Sequence, residues 1–159
     1  MRIAGIIRNS VVNGVGIRDV IFFQGCTHHC KGCHNPDTWN LLGGREMTTT
    51  QLLTETRRSP NDFTISGGEP LLQYLDLVHY MSLMDKYHHK RFWLYTGFTY
   101  EEIPNTWLLE LSKYVDVLVD GRFEEDKKDL KLRFRGSSNQ RLIDLPKSGE
   151  KGEVVLWEN

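Results

Sequence analysis

Apolar residues recur along the chain in short runs that alternate with amphipathic stretches. The β-branched and aromatic runs predict strands at Ile17 to Phe23, Phe63 to Ser66, Arg91 to Tyr95 and Val115 to Val119. Helical spacing predicts helices over residues 51–58, 71–84 and 107–114, with Thr48 to Thr50 capping the first and Pro70 opening the second. A last apolar run, residues 154–157, predicts one more strand.

This alternation of strands and helices predicts the fold class. It is typical of an α/β fold with a mostly parallel sheet, right-handed crossovers and helices outside. Ligand sites in such folds lie at the carboxyl ends of the strands. A chain of 159 residues is too short for a full barrel of eight units.

Length and charge limit the classes of function. The chain has the size of one domain, so we expect a single domain over residues 1–159. A formal net charge of -1 gives no field that would recruit nucleic acid or an acidic membrane surface. We see neither an apolar run long enough to cross a membrane nor a signal peptide, and expect a cytoplasmic protein.

All three cysteines of the chain, Cys26, Cys30 and Cys33, fall in one C-x3-C-x2-C segment. An odd number of closely spaced cysteines argues against structural disulfides. Three thiolates on one loop reach three irons of a cubane cluster, which usually takes four cysteine ligands. The segment therefore predicts an iron–sulfur cluster with one open iron, which a substrate amine and carboxylate chelate directly.

The same segment leaves a zinc site open as a second interpretation. A tetrahedral site of three cysteines and one histidine would take His28, His29 or His34 as its fourth ligand. Zinc sites usually have paired C-x2-C spacing, which occurs only once here. We expect these histidines to be loop residues rather than metal ligands.

The cysteine segment, followed by the strand-terminal sequence Gly67-Gly68-Glu69-Pro70, resembles the radical-SAM superfamily. The resemblance implies a partial (β/α) barrel of radical-SAM type. It also implies one [4Fe-4S] cluster per chain on the three cysteines, with S-adenosylmethionine (SAM) at the unique iron. In that superfamily SAM is cleaved reductively to methionine and a 5′-deoxyadenosyl radical, which abstracts hydrogen. No further catalytic side chain is implied.

The resemblance gives roles to the glycine-rich strand end. Gly67, Gly68 and Glu69 match the superfamily's GGE motif, whose backbone and carboxylate receive the amino group of SAM. On turn preferences alone, the same residues are an ordinary connection from strand to helix. Two interpretations stay open for Thr96-Gly97 and Asp120-Gly121, which end later strands. They line the same pocket at the ribose or sulfonium of SAM, or they are ordinary turns, which explain them at least as well.

One position departs from the superfamily pattern. Many members have an aromatic residue before the third cysteine, where this chain has Gly32. Backbone groups of Gly32, Cys33 and His34 are therefore expected to contact the adenine, which approaches closely where no side chain intervenes.

The segment CHNPDTW (33–39) resembles activases of glycyl-radical enzymes. The small size, the glycine at position 32 and three further segments, YTGFTYEE (95–102), VDVLVDGRF (115–123) and FRGSSNQR (134–141), together look like the family of anaerobic (class III) ribonucleotide reductase activating proteins. That family implies the large glycyl-radical subunit as protein substrate, an electron donor such as reduced flavodoxin, and a homodimer within a hetero-oligomer. We expect residues 134–141 to rim the opening through which the partner's glycine enters.

Two other functions stay open on the sequence. The first is activation of another glycyl-radical enzyme such as pyruvate formate-lyase, although those activases tend to be longer and carry an aromatic residue at the position of Gly32. The second is a non-catalytic iron–sulfur or zinc module for electron transfer or protein binding. A module of that kind leaves the Gly-Gly-Glu-Pro sequence unexplained.

Overall fold

The computed structural model describes residues 1–158. Its strands are β1 (Arg2–Ser10), β2 (Arg18–Phe23), β3 (Arg45–Glu46), β4 (Asp62–Gly67), β5 (Phe92–Tyr95), β6 (Val115–Asp120) and β7 (Arg141–Asp144). Its α-helices are α1 (Thr49–Thr56), α2 (Tyr74–His88), α3 (Asn105–Leu111) and α4 (Leu145–Lys151). No helix in this part of the chain has both the length and the apolar character that a membrane crossing requires.

The seven strands form one sheet in the order β3-β1-β2-β4-β5-β6-β7. The four central strands β2, β4, β5 and β6 are parallel to one another. β1 runs antiparallel to both β2 and β3, and β7 runs antiparallel to β6. The sheet is therefore mixed, with as many antiparallel pairings as parallel ones.

The mixed sheet corrects the predicted fold class. The expected mostly parallel sheet in a partial (β/α) barrel of radical-SAM type is wrong, because antiparallel strands flank the parallel centre on both sides. The sequence pattern missed these strands because β1 and β7 each bury a single residue, Ile3 and Ile143. One buried position produces no alternation of apolar and polar residues.

The central elements of the pattern are confirmed. β2, β4, β5 and β6 occupy the four predicted strand segments, and α1 and α3 overlap two of the predicted helices. The long helix starts as a 3₁₀ turn at Pro70 and becomes α2 at Tyr74. The strand predicted over residues 154–157 is wrong, because only an isolated bridge at Leu156 forms there.

The two faces of the sheet are covered differently. On one face, side chains such as Ile65 and Leu94 enter an apolar core to which all four α-helices contribute. On the other, Trp93 and Val117 belong to a smaller cluster that packs against Phe134 from outside the sheet. We call these the helix-covered face and the open face. Successive residues of one strand therefore serve two different environments.

Candidate functional site

A cavity of about 530 Å³ lies on the open face, at the carboxyl ends of the parallel strands. Phe22, Ser66 and Tyr95 line it from the strands themselves. Further walls come from the cysteine loop, residues 24–39, and from residues 121–140. Its position is that predicted for a ligand site in an α/β fold.

The base of the cysteine loop is closed by backbone hydrogen bonds. The Gly25 N–H donates to the carbonyl oxygen of Thr38 at 2.7 Å, and the Cys26 N–H donates to that of Trp39 at 3.2 Å. The two ends of the loop are thereby joined to each other. The residues that carry the thiols lie on the segment between them.

All three cysteines are free, and all three line the cavity. Burial raises the pKa of the Cys26 thiol, and backbone N–H groups of His28 and His29 that donate to this sulfur offset part of the rise. Burial likewise raises the pKa of the Cys30 thiol, with a smaller opposing effect from the Phe123 N–H. Hydrogen bonds to sulfur of this kind help to set the reduction potential of iron–sulfur clusters.

The thiols line a wall rather than meeting at one point. Among residues 1–158, no three His, Cys, Asp or Glu side chains are placed to hold one metal ion. The histidines considered as zinc ligands each have another neighbour: His28 contacts Glu69, His29 contacts Trp39, and His34 contacts Phe123. Separate thiols around a cavity suit a cubane, whose ligands bind different irons, better than they suit a single ion.

Gly67 and Gly68 line the cavity where β4 meets the base of the cysteine loop. Gly67 has a φ of +113°, and a Cβ there would lie 2.3 Å from the Phe23 carbonyl oxygen. A Cβ on Gly68 would lie 2.2 Å from the Gly25 carbonyl oxygen. A side chain at Gly67 would push the strand end away from β2, and one at Gly68 would push it away from the cysteine loop.

Glu69 lies behind the cavity wall. It is fully buried and is not among the residues that line the cavity. Its carboxylate accepts hydrogen bonds from the Leu71 N–H at 3.0 Å, the Gly97 N–H at 2.8 Å and the Thr96 hydroxyl at 2.8 Å. The Nε2 atom of His28 lies 2.9 Å from the carboxylate. Groups of the protein itself thus supply the hydrogen-bonding partners of this carboxylate.

Of the three residues expected at the adenine, two line the cavity and one does not. Cys33 and His34 line the cavity, and the His34 ring packs on Phe123 with 4.9 Å between centroids. Gly32 does not line it. Gly32 has a φ of +73°, and a Cβ there would lie 2.9 Å from a Glu125 carboxylate oxygen. Glycine at this position therefore has a local conformational reason.

The strand-terminal polar residues have structural partners. Thr96 lines the cavity and binds Glu69, as described above. Asp120 is fully buried and accepts hydrogen bonds from the Tyr100 N–H at 2.7 Å and from the Arg141 guanidinium. Hydrogen bonds to Asp120 and Glu101 raise the pKa of Arg141. This network joins the end of β6 to β7.

The 134–141 loop contributes Phe134, Arg135, Gly136 and Gln140 to the cavity wall, whereas Arg141 points to the network around Asp120. Tyr95, the first residue of the YTGFTYEE segment, also lines the cavity, although no role at the site was predicted for it. Its hydroxyl donates to the Phe134 carbonyl oxygen at 2.6 Å and ties this loop to β5. Alternation along β5 was the available signal, because it places Tyr95 on the same face as Trp93.

Residues 12–143 match the family model described as a 4Fe-4S single cluster domain. The matched region includes the whole cysteine loop and all four parallel strands.

Three curated proteins that are similar to this chain over most of its length each carry the name anaerobic ribonucleoside-triphosphate reductase-activating protein. The relative from Pasteurella multocida is 37% identical over 141 residues, covering 82% of this chain and 89% of its own. That from Enterobacteria phage T4 is 39% identical over 140 residues, covering 82% and 86%. That from Escherichia coli K12 is 34% identical over 140 residues, covering 82% and 90%.

Proposed function

Because this chain belongs to the family of anaerobic ribonucleoside-triphosphate reductase-activating proteins, we propose that it is a radical-SAM activase of the anaerobic reductase. Cys26, Cys30 and Cys33 hold a [4Fe-4S] cluster at which SAM is cleaved. The product radical then generates a glycyl radical on the reductase's large subunit. The proposal is carried by one observation: all three free thiols line one cavity beside Gly67 and Gly68.

The donor set and the cavity fit the cluster. Each thiol is a ligand to one iron, and no fourth cysteine exists in the chain to close the last iron. The backbone N–H groups of His28, His29 and Phe123 directed at the sulfurs stabilise thiolates, which are the forms that bind iron. A cavity of about 530 Å³ leaves room for a small molecule beside the cysteines.

The reaction requires one electron from outside the protein, for which reduced flavodoxin is our candidate donor. A [4Fe-4S] cluster held by the three cysteines would supply this electron to SAM, and cleavage of the carbon–sulfur bond would give methionine and a 5′-deoxyadenosyl radical. That radical would take a hydrogen atom from the Cα of one glycine of the partner. The products are 5′-deoxyadenosine and a glycyl radical, so atoms and electrons balance.

The residues of this chain bind SAM and exclude water. We assign the amino group of SAM to backbone groups of Gly67 and Gly68 and the adenine to Cys33 and His34, since all four residues line the cavity. Tyr95 and Phe134 also line the cavity and are joined by a hydrogen bond, and in our proposal they help to keep solvent from the radical. No side chain is required as a general acid or base.

The mouth of the cavity is suited to a protein substrate. Val12 and Leu130 line it and are 71% and 87% exposed. Exposed apolar side chains at the edge of a functional cavity favour burial against a partner. The large reductase subunit fills this role in our proposal, with the activase as a homodimer within the hetero-oligomer.

The test is anaerobic reconstitution with iron and sulfide, reduction with dithionite, addition of SAM and quantification of 5′-deoxyadenosine. We expect cleavage by the native chain and none by Cys30→Ala, because the cluster loses a ligand. Adding the reductase subunit should then yield a glycyl radical signal in electron paramagnetic resonance (EPR). Native chain that binds zinc and releases no 5′-deoxyadenosine would instead support a binding module.

A further inference from the structure

A buried pair, His28 and Glu69, joins the cysteine loop to the strand ends. The Nε2 atom of His28 lies 2.9 Å from Oε2 of Glu69, and the two side chains are 6% and 0% exposed. His28 stands between Cys26 and Cys30 in the chain. The contact therefore acts on the middle of the segment that carries the thiols, away from the hydrogen bonds that close its base.

The His28 ring fits closely against the end of β5. A Cβ on Gly97 would lie 2.4 Å from the Cδ2 atom of the ring, so the ring occupies the space that a side chain would need. The Phe98 ring meets the imidazole edge-on, with 4.6 Å between centroids. The imidazole is thus held by packing as well as by its hydrogen bond.

The carboxylate that receives His28 is itself fixed. Donors from three positions, Leu71, Thr96 and Gly97, hold both of its oxygens. These donors belong to the chain segments that follow β4 and β5. A buried, fully hydrogen-bonded carboxylate keeps one orientation, so it serves as a rigid anchor for the loop.

We propose that Glu69 serves the cluster site by positioning the cysteine loop through His28, and not by contacting SAM. His28 is then a positioning residue whose loss moves the thiols. This inference rests on the proposed function, since it takes the cysteine loop to be the cluster's binding segment. The competing assignment, carboxylate to SAM amino group, requires the carboxylate to face the cavity, whereas Glu69 lies behind the wall.

Three substitutions separate the two assignments. Gln places its amide nitrogen about where His places Nε2, so His28→Gln keeps a donor for Glu69. Asn is too short to reach, so His28→Asn removes the contact. His79→Asn is the control, because His79 is an exposed histidine of α2 that lies outside the cysteine loop.

The first readout is made without SAM: the rate at which a chelator removes iron from the reconstituted protein, and the EPR spectrum of the reduced cluster. Loss of an outer hydrogen bond to a metal site typically weakens metal binding by about 10–100-fold. We expect His28→Asn to lose iron about tenfold faster with an altered spectrum. His28→Gln and His79→Asn should match the native chain.

A second variant guards against simple misfolding of His28→Asn. Gly97→Ala places a methyl group where the His28 ring lies and displaces the ring while keeping both partners of the pair. We expect the same accelerated loss of iron from it. Native-like iron retention in both His28→Asn and Gly97→Ala would overturn the inference.

Measuring the affinity for SAM provides the second test of the role of Glu69. If Glu69 contacts SAM directly, Glu69→Gln weakens SAM binding while His28→Asn leaves both SAM binding and iron retention unchanged, which contradicts our assignment. Failure of the proposed function has a different signature, namely native chain that retains its cluster and does not cleave SAM. The iron-retention results on the variants would still decide the positioning role in that case.

Discussion

The helix-covered face and the open face of the sheet are built from neighbouring residues of the same strands, yet one packs in the core and the other lines the cavity. Ile65 enters the core beneath the helices, and the next residue, Ser66, lines the cavity. Leu94 and Tyr95 repeat the arrangement in β5. Because successive side chains of a strand point to opposite faces of the sheet, one residue of each pair packs in the core and the next lines the cavity.

The largest effect should come from truncation in the helix-covered core. Phe63 is fully buried, and Phe63→Ala should lower the free energy of unfolding by about 3–5 kcal/mol, since it removes a large side chain and leaves a void. Denaturant titration of the cluster-free chain measures this. The control Leu72→Ala, at a partly exposed position, should change stability by about 0.5 kcal/mol or less. A small loss for Phe63→Ala would contradict the assignment of the main core.

On the open face, the buried side chain of Arg18, the first residue of β2, packs at the amino ends of the strands in place of helices. The Arg18 guanidinium donates to the Phe63 carbonyl oxygen at 2.7 Å and to the Thr64 hydroxyl at 3.0 Å, and burial lowers its pKa. Arg18→Met should cost about 1.5–3 kcal/mol, because these acceptors lose a charged donor. Arg45→Met, an exposed ion-pair residue, is the control and should cost about 0.5 kcal/mol or less. Equal losses of stability in Arg18→Met and Arg45→Met would contradict the contrast between the buried and the exposed cation.

Acid should weaken the helix-covered face through Asp19. Burial opposes ionisation of this carboxyl, but hydrogen bonds from Ser59, Arg8 and Asn61 outweigh it and lower the pKa to about 2. The folded pKa lies below the unfolded one, so the stabilisation is present above about pH 4 and is lost as the pH falls through about 2. Asp19→Asn should remove about 1–2 kcal/mol of this pH-dependent stability. If the free energy of unfolding fell equally for the native chain and for Asp19→Asn between pH 5 and pH 2, this role of Asp19 would be refuted.

The smallest effect concerns the loop over the cavity. Tyr95→Phe removes the hydroxyl that donates to Phe134, and should cost about 1 kcal/mol. Burial raises the pKa of Tyr95, so its contribution to stability is complete below the unfolded pKa of about 10 and is lost as the pH rises through the folded pKa. The exposed Tyr87→Phe should show neither change. The same alkaline slope in all three proteins would contradict the contact.

The sequence predicted the parts of the fold that repeat a pattern. The four parallel strands and the helices packed on them have several buried positions each, so their periodicity is visible. β1 and β7 are held by pairing with neighbours and each bury one residue. Strand pairing between distant segments leaves no local signal, and this is why the mixed character of the sheet was missed.

The candidate site divides in the same way. The cysteine spacing and the Gly67-Gly68 turn are local features, and they predicted residues that the fold brings to one cavity. The burial of Glu69 and its contact with His28 depend on segments 41 positions apart in the chain. The superfamily motif assigns the Glu69 carboxylate to SAM, whereas our proposal assigns it to His28. The motif alone does not decide between them, because it carries no information on which way a side chain points.

The central claim is that the cysteine loop holds a [4Fe-4S] cluster with an iron left open for SAM. EPR spectroscopy of the reconstituted, dithionite-reduced chain, recorded before and after addition of SAM, tests it most directly. We predict a reduced-cluster signal that SAM changes, and no such signal in Cys30→Ala. A cluster signal that SAM leaves unchanged, or a native chain that takes up zinc in place of iron and sulfide, would contradict the claim.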